Sequence, residues 1–90
     1  MAMSVIEESP VLPLSLVAAG ESAKLVAIRD TDAVRKRLSD LGLGVGVSVR
    51  VVKSDPGIPM ILAFKHDARL AVGRATANRI LVTLQPAEGR

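Results

Sequence analysis

The chain has no cysteine, no tryptophan and no tyrosine, and Phe64 is its single aromatic of the Phe, Tyr and Trp class. Without cysteine, neither a disulfide nor a thiolate metal site is available, which accords with a reducing compartment. The shortage of aromatics argues against two kinds of binding. Proline-rich peptide grooves are lined with aromatic rings, and platforms for single-stranded nucleic acid stack bases on them. There is one histidine, His66, so imidazole chemistry has one candidate. A metal site there would need further ligands from elsewhere. No serine stands in a recognisable arrangement with a base, so no catalytic constellation is apparent. Long apolar runs are missing too. Val11 to Ala19 is apolar but interrupted by Pro13, too short to span a bilayer, and preceded by Glu7 and Glu8 where a secretory signal carries positive charge. The expectation is a soluble, cytoplasmic protein with no membrane insertion.

The chain is rich in aliphatic residues. Its 90 residues are 49% apolar, enough for one domain. A domain this small buries only about 60% of its unfolded surface, so its core has to be efficient. Twelve Lys and Arg stand against nine Asp and Glu, a net charge of +3 spread along the chain. The one basic run, Arg35-Lys36-Arg37, reads first as the solvated face of an amphipathic helix. Contact with a duplex backbone or with an acidic protein surface are the functional alternatives.

Hydrophobic periodicity changes between residues 34 and 51. Val34, Leu38 and Leu41 recur at i, i+4 and i+7, one face of a helix. Asp30, Thr31 and Asp32 offer cap oxygens before it, and Gly42 offers the left-handed residue that ends it, with Leu43 folding back onto Leu38. This predicts a helix from about Thr31 to Leu41. Gly44 and Gly46 then mark a turn. They follow a helix, whereas phosphate-cradling loops precede one, so the cap-and-turn reading is preferred. Val47, Val49 and Val51 alternate with Ser48, Arg50 and Val52, predicting a strand with one buried face from Val47 to Lys53. Further strands are expected at Ala23–Arg29, Met60–Lys65, Ala68–Val72 and Arg79–Leu84, with turns at Ser54-Asp55-Pro56-Gly57 and at His66-Asp67. Gly73 through Asn78 has the length of one 3-10 or helical turn.

Five short strands, one helix after the first and a 3-10 turn before the last describe a mainly β, small SH3-like barrel. The expected organisation is a disordered lead over 1–10, a barrel domain over 11–84, and a loose tail over 85–90. Within the barrel, the segment after the lead packs its leucines on the sheet. An open α+β sheet with the helix on one face is the alternative architecture.

Several residues along this framework carry a resemblance to a known family. Leu14-x-Leu16 and Gly20-Glu21-x-Ala23 open it, and Arg37-Leu38-x-Asp40-Leu41-Gly42-Leu43 followed by Gly46 occupies its middle. Pro59, Leu70-Ala71-Val72 and Ala77-x-x-Ile80-x-Val82 complete it. In order and spacing this resembles the FeoA family, small SH3-like proteins associated with bacterial ferrous iron uptake. The departures are local: Val45 where the family often has proline, no glycine at His66-Asp67, and Gly73 in place of a commonly basic residue. The resemblance implies a non-catalytic cytoplasmic protein, without a cofactor, that partners the ferrous iron permease FeoB through its cytosolic GTPase part. The same module occurs in metal-dependent repressors, so a metal-linked regulatory or nucleic-acid-associated domain is the alternative. Metal sensing through His66 and nearby carboxylates is a third reading, set against His66 as an exposed turn residue. The candidate partner contacts are Arg35, Lys36, Leu41, Gly42, Leu43 and Arg50. Leu41 and Leu43 are equally candidates for the core.

Overall fold

Alternation of apolar and polar residues builds most of this molecule. In a computed structural model, which describes residues 10–66 and 68–85, six strands form one antiparallel sheet. The strands are β1 (Val11–Pro13), β2 (Ser22–Ile28), β3 (Ser48–Lys53), β4 (Met60–Phe64), β5 (Ala68–Val72) and β6 (Ile80–Gln85). Their spatial order is β1-β6-β2-β3-β4-β5, and helix α1 (Asp32–Asp40) joins β2 to β3. The alternating residues face inward as expected: Val49 and Val51, then Met60, Leu62 and Phe64, then Ile80 and Val82 are all buried. They meet Leu14, Val17, Leu25, Leu38 and Leu43 in one core, and no polar or charged side chain is buried with them among the described residues. The mainly β, SH3-like architecture is therefore the observed one.

The differences are local. The sheet has a sixth strand, because Val11–Pro13 pairs with Thr83, Val82 and Leu81 of β6. Three residues ending in proline carry little strand signal, and a sheet edge is where proline's missing N–H costs no ladder bond. A 3-10 turn, Leu14–Leu16, follows directly and carries Leu14 into the core. The packing of Leu16 on the barrel that the sequence predicts is not found: the turn points it outward, 69% exposed. The connector before the last strand is a short helix, α2 (Arg74–Ala77), rather than a 3-10 turn. Its bonds are those of an α-helix, Ala77 N–H to the Gly73 carbonyl (2.9 Å) and Asn78 N–H to the Arg74 carbonyl (3.0 Å). Of the expected lead only Pro10 is described, and of the tail only Gln85, which pairs with Ser22; positions 1–9 and 86–90 lie outside the described residues.

Two irregularities bend the sheet. The β2–β6 register shifts between Leu25 and Ala27, and the β3–β4 register shifts between Val51 and Lys53. An extra residue on one strand increases local twist and lets a short sheet curl around its core. Arg74 ties together segments that lie far apart in the sequence. Its guanidinium donates to the Ser15 carbonyl (3.2 Å), the Ser54 hydroxyl (3.2 Å) and the Asp55 carbonyl (2.8 Å). One half-buried side chain thus joins the 3-10 turn, the β3–β4 loop and α2.

Candidate functional site

Helix α1 starts where the sequence offers a cap. The Thr31 hydroxyl accepts from the Val34 N–H (3.2 Å), and Asp32 places its carboxylate in the first turn. The helix ends by a Schellman arrangement. Leu43 N–H donates to the Leu38 carbonyl (2.8 Å) and Gly42 N–H to the Ser39 carbonyl (2.9 Å), with Gly42 at φ +101°. This turn carries the chain back toward the sheet, so Leu43 is fully buried while Leu41, two residues earlier, is 48% exposed. The corner is seated on the only aromatic of the chain. A Cβ placed on Gly42 would lie 3.1 Å from Cε2 of Phe64 and 3.0 Å from Nζ of Lys65.

The apolar stripe of α1 is only partly used by the core. Leu38 is buried, Val34 is half-buried and Leu41 is open. Facing this stripe is the end of β5, and between them lies a cleft of about 280 Å³ lined by Val34, Arg37, Leu38 and Leu41 on one side. Leu70, Ala71, Val72, Gly73 and Thr76 line the other.

The six candidate contacts separate against this geometry. Arg35, Lys36, Leu41 and Gly42 share the helix and its cap. Arg35 pairs with Asp32, and Lys36 pairs with Asp40 at 3.8 Å. Both cations point to solvent, away from the cleft, and such exposed pairs within one helix stabilise it by only about 0.3–0.5 kcal/mol. Leu43 resolves to the core and supports the corner from beneath. Arg50 stands on the outward side of β3, in register with Ser22 of β2 and Ala63 of β4, and does not line the cleft. The basic residue that does line it is Arg37, which was not among the candidates. The signal was present: Arg37 lies three residues after Val34 and four before Leu41, on the stripe itself. The contribution of β5 had no such signal, since it depends on where the sheet ends in space.

His66 is exposed on the β4–β5 turn, where Lys65 takes the left-handed conformation (φ 57°) that glycine often supplies. Asp67, its sequence neighbour, lies outside the described residues. Among the described residues no three His, Cys, Asp or Glu side chains gather as metal ligands would. No helix among them is long and apolar enough to cross a membrane.

The FeoA domain family matches residues 12–84, nearly the whole described chain. The chain belongs to the FeoA family. It is similar to the crystal structure of an iron uptake regulatory protein, FeoA, at 30% identity and a TM-score of 0.77, covering 84% of this chain and 100% of that one. It is also similar to a zinc-complexed FeoA from Stenotrophomonas maltophilia, at 30% identity and a TM-score of 0.68, over 79% of this chain and 88% of that one. That protein is described as an SH3 domain protein and a candidate activating factor of bacterial ferrous iron transport. A manganese-dependent transcriptional repressor shares the fold alone, at 20% identity and a TM-score of 0.75, over 88% of this chain and 39% of the repressor. No curated protein matches. As a FeoA-family member the chain is an SH3-like protein associated with ferrous iron transport.

Proposed function

We propose that this FeoA-family chain is a non-catalytic cytoplasmic accessory of ferrous iron uptake that works by binding the cytosolic GTPase part of an FeoB-like permease. Family membership over residues 12–84 supports the iron-transport assignment. The observation that favours a binding surface is the exposed part of the α1 stripe. An amphipathic helix ordinarily buries its apolar stripe against its own core. Here the stripe of a well-capped helix leaves Leu41 about half exposed, beside a cleft and a basic face. Arg35, Lys36, Leu41 and Gly42 belong to this surface in the proposal, with Leu43 holding the corner that presents them and Arg50 as a separate outlying contact.

Pull-down with the permease's cytosolic region tests the reading. The wild-type chain is expected to be retained, and an Arg35→Glu, Lys36→Glu double variant to be retained less, because reversing two charges changes the steering field of the helix face. No retention of the wild type at low salt would refute the partnership. Undiminished retention of the double variant would remove the outer helix face from the interface. The repressor-type reading has less support, since the likeness to the manganese-dependent repressor is one of fold and the basic excess is small.

A further inference from the structure

The cleft beside α1 is bounded on one side by an open sheet edge. Strand β5 closes the sheet order and pairs with β4, from Met60–Val72 to Phe64–Ala68, with no strand beyond it among the described residues. Alternate residues of an antiparallel edge turn both N–H and C=O away from their partner strand. Natural edges are blunted by proline, by lysine or by a covering element. β5 has no proline and one charged side chain, Arg69, and its last residues, Leu70 to Val72, line the cleft. The opposite wall offers Val34, Leu38 and Leu41 as apolar contacts and Arg37 as a cation. No acidic side chain lines the cleft, and Arg37 takes part in none of the ion pairs among the described residues.

We propose that this cleft takes an extended segment of the partner that adds to β5 as a further strand, with one or two apolar side chains against Leu41 and a carboxylate on Arg37. This rests on the partnership proposed above and names the kind of segment the site accepts. The volume fits the occupant: about 280 Å³ lies just below the roughly 300–1,000 Å³ typical of small-molecule pockets, which suits side chains better than a whole cofactor. The shape of the wall selects an extended backbone, because a strand edge recognises another strand by main-chain hydrogen bonds and reads alternate side chains. A polyproline segment is disfavoured, since it needs aromatic rings and Phe64 is buried under the Gly42 corner. A second copy of this chain is disfavoured by charge, since edge-to-edge pairing of two β5 strands would bring together two copies of a cleft that holds a cation, Arg37, and no carboxylate to answer it.

Residue-resolved amide exchange on the full chain, with and without the permease's cytosolic region, tests this. On binding, amides within Arg69–Val72 are expected to slow by at least about tenfold, while those of β1 at the opposite edge keep their rates. Arg37→Glu is expected to raise Kd by about tenfold or more, as reversal of a paired interface charge does, and Lys24→Glu on the outward side of β2 to leave it within about twofold. Complex formation with unchanged exchange at Arg69–Val72, or with Arg37→Glu binding as the wild type does, would overturn the strand-addition site and leave the partnership standing. Failure of the wild type to bind at all would fell both. Slowing of the same amides in the free chain as its concentration is raised would assign the edge to self-pairing and overturn the proposal.

Discussion

Replacing Gly42 by alanine separates two physical effects that coincide at the corner of α1. The first is conformational. At φ +101° an L side chain is strained, and a left-handed backbone costs an alanine about 1–2 kcal/mol. The second is steric. The new Cβ would sit 3.1 Å from Cε2 of Phe64, which is buried at 6% exposure and has little room to move; the Lys65 ammonium at 3.0 Å is the free end of a flexible chain and swings aside. Forcing one methyl against a fixed ring adds about 1–2 kcal/mol, at the lower end of overpacking costs. The sum, about 2–4 kcal/mol, is a large share of the roughly 5–13 kcal/mol expected for a domain of this length. In urea the unfolding midpoint should fall by about 1–3 M. Two reference variants divide the total. Gly20 also has positive φ (+92°) but no atom within 4 Å of its would-be Cβ, so Gly20→Ala should show the conformational cost alone, about 1–2 kcal/mol. Gly44 has neither, so Gly44→Ala should be neutral or stabilising by up to about 1 kcal/mol. Equal losses for Gly42→Ala and Gly20→Ala would refute the packing of Phe64 under the corner. Stability of all three within about 0.5 kcal/mol of wild type would refute the backbone argument as well.

Two further expectations concern stability. Arg74→Ala should destabilise by about 1.5–3 kcal/mol, since hydrogen bonds from a charged donor to three groups on two segments are lost, and Arg74→Lys should restore only part because an ammonium lacks the planar fork; thermal unfolding measures both, and a fully rescued lysine variant would count against the clamp. Along the α1 stripe, Leu38→Ala should cost about 2–4 kcal/mol and Leu41→Ala less than about 0.5, as buried and half-exposed positions of one residue type do; similar losses in denaturant titrations would mean that Leu41 also belongs to the core.

What could be read from the residues was whatever has a short period. The inward valines of β3, the alternation Met60-Leu62-Phe64 and the cap-to-corner course from Thr31 to Leu43 all express local rules, and each lies where those rules place it. Elements that depend on distant partners were harder to see. β1 exists because β6 lies alongside it, and the turn that exposes Leu16 depends on Leu14 finding the core. Periodicity could mark the face of Arg37, but only the position of β5 makes that face one wall of a cleft. Arg74 carried no local signal, because two of its three acceptors are main-chain carbonyls far away in sequence.

The placement of β6 between β1 and β2 has a consequence for biosynthesis. Residues 80–85 leave the ribosome after all the other strands, yet the two earliest strands meet each other only through them. Without β6, a meander of β2 to β5 would leave one flank of β2 unpaired and its aliphatic surface wet, the kind of exposure that chaperones bind. Docking of β6 then joins β1 to β2 through one shared neighbour, so closure of this sheet waits on the last of its strands in chain order.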